Sequence, residues 1–249
     1  ALRGASGMGK TRLLVAFRER VSTEGGLMVR ELVCDPADQH HPLAPVLDYL
    51  RRLLPIYQGR IEAMLANWEV SAGSEVIEGL QGLVDGDERP LTSPEQRTAI
   101  LDLLAAIVAA MADRQPTVWL LDDLQWMDPS TRELLERLVR VARGRPLFLL
   151  MAARADGYLP GEVDEVVELG ALPEEAARTL LRAVDGPRDP ATEERLLQLA
   201  GGNPLYLEEV ARQGESQGAG VPRRLQDLLA ASVDELGEDR PLARLAAVA

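Results

Sequence analysis

Apolar residues along this chain form two patterns, short continuous runs and longer stretches in which they recur at helical spacing. Short apolar runs are typical of strands that are buried on both faces of a parallel sheet. They predict strands at residues 27–34, 117–123, 146–154 and 165–170. The opening Ala1-Leu2-Arg3 is interpreted as the end of a further strand whose beginning lies upstream.

The stretches with helical spacing predict amphipathic helices between these strands. The helices are expected at residues 11–21, 43–54, 61–70, 93–114 and 128–143. In the last of these, Asp128 can cap the N-terminus, and Pro129 can occupy the first turn, where a missing N–H costs nothing. Strands that alternate with amphipathic helices predict an α/β fold with a parallel sheet.

From Pro173 onwards the pattern contains no strand, and it predicts helices at residues 173–184, 191–200 and 204–213. Residues 214–220 are polar and rich in glycine, which is typical of a linker. We therefore expect four segments: an α/β core at residues 1–172 with a truncated first strand, a helical lid at 173–213, the linker at 214–220, and the truncated start of another helical unit at 221–249. The chain is interpreted as a piece of a larger protein.

The 249 residues carry 40 acidic and 27 basic side chains, a formal net charge of −13. This surplus argues against nucleic acid as a direct partner of this piece, because phosphate binding needs clustered positive charge. A single cysteine, Cys34, allows no internal disulfide and fits a reducing cytoplasm. The longest apolar stretch, residues 99–112, contains Asp102 and is too short to span a bilayer, so we expect a cytoplasmic protein with no membrane partner.

The stretch GASGMGKT at residues 4–11 fits the phosphate-loop pattern G-x-x-x-x-G-K-[ST] at every fixed position. Glycines allow backbone N–H groups to curl around phosphates, and the following helix directs its positive end at them. Lys10, the one lysine of the sequence, can reach the β- and γ-phosphates, and the Thr11 hydroxyl can bind Mg²⁺. The expected nucleotide contacts are Gly4, Ser6, Gly7, Met8, Gly9, Lys10, Thr11 and Arg12. The alternative is an ordinary glycine turn before a helix.

Asp122 and Asp123 end the apolar run VWLLDD. A carboxylate at the tip of a buried strand can complete the shell of a Mg²⁺ ion that bridges phosphate oxygens. A second carboxylate beside it can orient or activate the attacking water. The alternative, a pair of solvated acids at a strand end, is less favoured once a phosphate loop precedes them.

Four segments together, GASGMGKT, VWLLDDLQWMDPST, FLLMAAR and GGNPLYLEEV, resemble the NTPase module of the STAND class of signal-transduction ATPases, within the wider AAA+ and P-loop NTPases. The chain is most similar to the large ATP-binding LuxR-type transcription regulators and to the ATPase modules of bacterial adenylate cyclases and kinases. The resemblance extends over nearly the whole chain, and it implies that residues 221–249 begin a winged-helix domain.

Transferred by position, the resemblance implies individual roles. Asp122 would be the acid on the metal side, with Thr11, and Asp123 the catalytic or water-positioning acid. Arg154 would be the sensor arginine that faces the γ-phosphate, and Pro204 would pack against the adenine. Each has a plainer alternative, since an arginine after a strand is usually a solvated end and Asn-Pro after two glycines is usually a helix start.

The resemblance also implies a function. The module would bind ATP or ADP with Mg²⁺ as a conformational switch, and effector and output domains of a longer polypeptide would read its state. DNA would be a partner only through those domains, and a nucleotide-dependent oligomer is a further expectation. The family's G-R-E motif would lie upstream of residue 1, and no arginine finger can be assigned, so hydrolysis is expected to be slow.

Two other functions fit the same residues. An AAA+ motor would act as a ring and would need a second sensor arginine in the lid, for which Arg178 and Arg182 are candidates. A scaffold with a vestigial pocket is disfavoured by the intact loop and its partner acids. A metal site at Cys34, His40 and His41 is also disfavoured, because their spacing matches no standard zinc pattern.

Overall fold

The computed structural model describes residues 1–87 and 93–213. These residues divide into two compact units, each described separately below. The first unit contains residues 1–3 and 10–168, and the second contains residues 4–9 and 169–213. The predicted linker at 214–220 and the winged-helix start at 221–249 lie outside the described residues.

Five strands form one sheet with the order β2-β3-β4-β1-β5. They are β1 (Leu2–Gly4), β2 (Met28–Val33), β3 (Thr117–Asp122), β4 (Leu147–Ala153) and β5 (Val167–Leu169). The pairs β2–β3, β3–β4 and β1–β4 are all parallel, and Trp119 of β3 pairs with Arg30 on one side and Leu149 on the other. Every residue of β3 is buried, as the continuous apolar run predicts. The predicted α/β fold with a parallel sheet is confirmed.

The described residues of the first unit form the helices α1 (Lys10–Glu24), α2 (Ala44–Leu53), α3 (Ile61–Trp68), α4 (Ser74–Asp85), α5 (Pro94–Arg114) and α6 (Pro129–Ala142). Two of them begin at side-chain caps, of which the cap at Asp128 was predicted. Ser93 accepts a hydrogen bond from the Gln96 N–H at 3.0 Å and starts α5. Asp128 accepts hydrogen bonds from Ser130 and Thr131 and starts α6.

The core of the first unit lies between the sheet and helices α2 to α6. Helix α5 contributes Ile100, Leu101 and Ala112, none of which is exposed to solvent. Trp119 of β3 belongs to this core, since it is 3% exposed and its ring centroid lies 5.0 Å from that of Tyr49. This packing fixes β3, and therefore Asp122 at its end and Asp123 directly after it.

The second unit is helical after β5, with α7 (Glu174–Asp185), α8 (Pro190–Ala200) and α9 (Pro204–Gln213). Its small core consists of aliphatic side chains from all three helices. The carboxylate of Glu193 on α8 is buried between two arginines of α7, at 2.7 Å from Arg178 and 2.9 Å from Arg182. These arginines lower the pKa of Glu193, Arg182 more than Arg178.

Candidate functional site

The phosphate loop, defined here as residues 4–9, has the backbone that its glycines predict. Gly7 and Gly9 have φ values of 78° and 86°, in the left-handed region that favours glycine. A Cβ atom at Gly9 would meet nothing within 4 Å, so open space faces that residue. A Cβ atom at Gly7 would lie 2.6 Å from the Oδ1 atom of Asn203. Glycine is therefore required at Gly7 both for conformation and for close packing.

The phosphate loop is hydrogen-bonded to the start of α9 within the second unit. The Nδ2 group of Asn203 donates to the Ser6 carbonyl at 3.1 Å, and the Leu205 N–H donates to the Gly7 carbonyl at 3.3 Å. Within the loop, the Met8 N–H donates to the Ala5 carbonyl at 3.4 Å. Pro204 occupies the first position of α9, between the two residues that contact the loop.

Lys10 and Thr11 begin α1 in the first unit. The Lys10 side chain is 9% exposed. Burial lowers the pKa of its ammonium, Arg154 adds to this effect, and Asp123 and Asp122 oppose it. The positive charge of Lys10 therefore shares its surroundings with the two acids and the arginine that the sequence analysis selected.

Asp122 is the last residue of β3 and is 7% exposed. Its Oδ1 atom accepts a hydrogen bond from the Asp123 N–H at 2.9 Å, and its carboxylate also accepts one from the Thr11 hydroxyl. Burial raises the pKa of Asp122, and the hydrogen bond from Thr11 partly offsets this. The predicted metal-side pair, Thr11 and Asp122, is therefore in direct contact.

Asp123 has a left-handed backbone, with φ 57° and ψ 41°, which aspartate tolerates better than most residues. This sharp change of direction after β3 turns the chain away from the strand direction. The Nε2 group of Gln125 donates to the Asp123 Oδ1 atom at 2.9 Å, while the buried Gln125 Oε1 atom has no hydrogen-bond partner among the described residues. Gln125 was not expected at the site, although it lies within the DDLQWMDPST signature.

Arg154 directly follows β4, and its carbonyl accepts a hydrogen bond from the Gly157 N–H at 3.0 Å in a tight turn. The guanidinium carbon of Arg154 lies 5.9 Å from the ring centroid of Trp126, within the range of a cation–π contact. Trp126 had no role in the sequence analysis, and the structure places its ring beside the expected sensor arginine. Arg12, also an expected contact, is exposed on α1.

Cys34 follows β2, and its N–H donates to the Asp122 carbonyl at 3.1 Å. Cys34 is a buried residue, since it is 4% exposed. Burial, and then the nearby carboxylates of Asp128, Asp123, Asp122 and Asp38, raise the pKa of its thiol to about 12. Within residues 1–87 and 93–213, no group of three or more His, Cys, Asp and Glu side chains has a geometry that could hold a metal ion.

Asp128 has a second contact that sequence reasoning missed. Besides capping α6, its Oδ1 atom accepts a hydrogen bond from the Leu43 N–H at 3.1 Å. Leu43 precedes α2, has a left-handed φ of 61°, and is fully buried. The QWMDP signature therefore holds the segment after β2 as well as its own helix.

A comparison with protein-family models matches residues 1–151 to the AAA ATPase domain. The match extends from the phosphate loop through both acids to β4. The chain belongs to the AAA ATPase domain family. The expectation of a P-loop NTPase is confirmed, and nucleotide binding, typically with Mg²⁺, is a property of this family.

Among curated proteins, the AAA ATPase domain is 25% identical over 278 residues to an uncharacterised protein of Rhizobium meliloti. The match includes the whole of this chain, which spans only 27% of that relative.

Among solved structures, the domain resembles a Pyrococcus horikoshii STAND protein with a tetratricopeptide repeat sensor, with 15% identity and a TM-score of 0.48 over 91% of this chain and 28% of that one. It also resembles C. elegans PCH-2, with 14% identity and a TM-score of 0.44 over 88% of this chain and 55% of that one.

Helices long and apolar enough to cross a bilayer are absent from the two described ranges of the AAA ATPase domain.

Proposed function

We propose that this AAA ATPase domain binds ATP and ADP with Mg²⁺ and acts as a regulatory switch with slow hydrolysis in a STAND-type signalling protein. One observation carries the proposal. The Thr11 hydroxyl donates a hydrogen bond to the Asp122 carboxylate. Lys10, the residue before Thr11, interacts electrostatically with both Asp122 and Asp123. If Asp122 were only an acid at a solvated strand end, it would not be buried against Thr11.

The residues present fit a Mg²⁺–nucleotide. The Thr11 hydroxyl and the Asp122 carboxylate are hard oxygen ligands, which Mg²⁺ prefers, and one or two such groups suffice because the ion usually keeps several waters. Lys10 supplies the positive charge for the β- and γ-phosphates. The open space in front of Gly9 leaves room for phosphate oxygens to approach the backbone.

Hydrolysis is assigned to the residues around the tip of β3. Asp123 would orient the attacking water, and Gln125 would hold the Asp123 carboxylate in place through its 2.9 Å hydrogen bond. Arg154 would contact the γ-phosphate as a sensor. Turnover should be slow, because an arginine finger contributes orders of magnitude to the rate of such sites and none can be assigned here.

Output is assigned to other parts of a longer polypeptide. This chain spans 27% of its curated relative, so that relative has room for further domains. We propose a transcription regulator of the LuxR type, which would contact DNA through such domains, or the ATPase module of a cyclase or kinase. Nucleotide-dependent oligomerisation is part of the same proposal.

The contacts of α7 support a switch rather than a motor. A motor would need a lid arginine that reaches the nucleotide, and the two candidates, Arg178 and Arg182, both bind the buried carboxylate of Glu193. Recruiting either one would leave that buried acid with less compensation, which is costly.

The test is calorimetric titration of the 249-residue chain with ATP and with ADP in the presence of Mg²⁺, followed by a turnover assay. The expected result is saturable binding of both nucleotides, abolished by Lys10→Ala and retained in Arg18→Lys, a substitution elsewhere on α1. Binding that survives Lys10→Ala would refute the assignment of the phosphate loop. Turnover of several per second would favour the motor over the switch.

A further inference from the structure

The side-chain amide of Asn203 is 7% exposed, and both of its ends are hydrogen-bonded. The Oδ1 atom accepts from the Leu205 and Tyr206 N–H groups at 3.0 and 3.4 Å, which caps α9. The Nδ2 group donates to the carbonyl of Ser6, which is 197 residues away in sequence, at 3.1 Å.

A helix cap alone does not explain this amide. Serine and aspartate cap helices about as well as asparagine, because only a side-chain acceptor is needed. Asparagine is distinguished from both by its NH₂ donor, and that donor is bonded to the Ser6 carbonyl. The additional function of Asn203 therefore concerns the phosphate loop rather than α9.

The bond to Ser6 fixes the orientation of one peptide plane. The described residues contain no cis peptide bond, and in a trans peptide the carbonyl and the N–H point in opposite directions. With the Ser6 carbonyl turned towards Asn203, the N–H of Gly7 is turned away from it. Loops of this type bind phosphates through such N–H groups, so Asn203 determines which side of the loop presents the donor.

The next peptide plane is held in the same way. The N–H of Leu205, the second residue of α9, donates to the Gly7 carbonyl at 3.3 Å. A Cβ atom at Gly7 would lie only 2.6 and 3.0 Å from the Oδ1 and Nδ2 atoms of Asn203. Asn203 and Leu205 therefore bind two consecutive loop carbonyls, those of Ser6 and Gly7. Asn203 also occupies the space that a side chain at Gly7 would need.

We infer that Asn203 is a positioning residue for phosphate binding, which holds the Ser6–Gly7 peptide in the orientation that directs the Gly7 N–H to the nucleotide phosphates. The inference rests on the proposed nucleotide-binding function. It adds a residue outside the phosphate-loop sequence to the determinants of affinity. It also makes the start of α9 the element that changes its hydrogen bonding when this peptide reorients.

The test compares two cap substitutions in the 249-residue chain. Asn203→Ser retains a cap acceptor and removes the donor to Ser6. Asp189→Ala is the matched control, since Asp189 caps α8 in the same unit through the Ala191 and Thr192 N–H groups. Within the described ranges it makes no hydrogen bond to the phosphate loop. The measured quantities are the affinity for MgADP by calorimetry and the midpoint of thermal unfolding without nucleotide.

Asn203→Ser is expected to weaken MgADP binding about three- to tenfold, the range for one hydrogen bond, with little change in the unfolding midpoint. Asp189→Ala should lower the midpoint and leave the affinity unchanged. Equal affinities of wild type and Asn203→Ser would overturn the inference while the proposed function stands.

A measurement without nucleotide tests the role of Asn203 in the loop independently of the proposed nucleotide binding. Hydrogen exchange at the Met8 amide, which donates within the loop, should be faster in Asn203→Ser than in wild type and unaffected in Asp189→Ala. If the wild type binds no MgADP, the proposed function fails, and the exchange rates still show whether Asn203 holds the loop. Unchanged exchange in Asn203→Ser would show that it does not.

Discussion

The backbone N–H of Leu43 donates a 3.1 Å hydrogen bond to the carboxylate of Asp128, which is 2% exposed. The same carboxylate caps α6, so one buried side chain joins the segment after β2 to the helix after β3. These two segments follow β2 and β3, which pair with each other up to Val33 and Asp122 at their carboxyl ends. The contact therefore supports the acids without touching them.

Asp128→Ala should lower the free energy of unfolding by about 2–4 kcal/mol, as the sum of a lost cap and a buried N–H left without an acceptor. Asp128→Asn retains an acceptor and should cost about 1 kcal/mol. Urea denaturation measures both. An Asp128→Ala loss no larger than that of Asp189→Ala, which removes an exposed cap, would show that the Leu43 bond contributes nothing.

Lys10→Arg should weaken MgATP binding at least about tenfold although the charge is unchanged. Lysine is a compact charge on a slim stem, whereas arginine is a wide planar fork that should not fit between the loop backbone and the phosphates. Arg18→Lys, the reverse exchange on the same helix, should have no effect on affinity. Wild-type affinity and turnover in Lys10→Arg would contradict this explanation for the one lysine of the chain.

Asp122→Asn should stabilise the nucleotide-free protein at pH 7, by on the order of 1 kcal/mol. Burial raises the folded-state pKa of Asp122 above its ordinary value of 3.8. The folded protein therefore retains this proton to a higher pH than the unfolded chain, so stability is lost as the pH rises through that interval. The advantage of Asp122→Asn should vanish below about pH 3.8, where the carboxyl is protonated in both states.

The same substitution should abolish the Mg²⁺ dependence of nucleotide binding, because it removes a negative ligand. Asp156→Asn, at an exposed position after β4, is the control for both measurements. If Asp122→Asn gains stability but nucleotide binding still depends on Mg²⁺, then Asp122 is a buried charge that does not bind the metal ion.

Cys34 should resist thiol reagents in the folded protein. Burial raises the pKa of its thiol to about 12, and the thiolate is the reactive form. At pH 8, labelling with a chromogenic disulfide should be on the order of 1,000-fold slower in buffer than in urea, because so little thiolate is present. Since Cys34 is the one cysteine of the chain, Cys34→Ser provides a blank. Comparable rates in buffer and urea would contradict the burial of this residue.

The strands and most helices could be predicted because their signals are local. The apolar run before Asp122 predicts a strand buried on both faces, and Ser93 and Asp128 mark helix starts by their side-chain chemistry. Helix α4 was not predicted. It contains Gly79 and Gly82 and begins after Gly73, which provides no side-chain cap, so both its propensity and its start signal are weak.

The candidate site could be predicted in part for the same reason. Motif spacing indicates the positions of Lys10, at the end of a phosphate loop, and of Asp122 and Asp123, at the tip of a strand. Asn203 and Gln125 could not be found in this way. The Asn203 bond to Ser6 spans 197 residues, and neither residue type has a pattern that distinguishes a positioning contact from a helix cap or a turn.

The contact between Trp126 and Arg154 gives the protein an internal optical reporter. Indole emission depends on nearby charge, and the Arg154 guanidinium carbon lies 5.9 Å from the Trp126 ring centroid. Trp119 is buried in the core, and Trp68 lies against Arg114 on α5, so neither is placed beside the acidic tip of β3. Fluorescence of the unlabelled chain, compared with that of Trp126→Phe, can therefore follow the surroundings of Arg154 in real time.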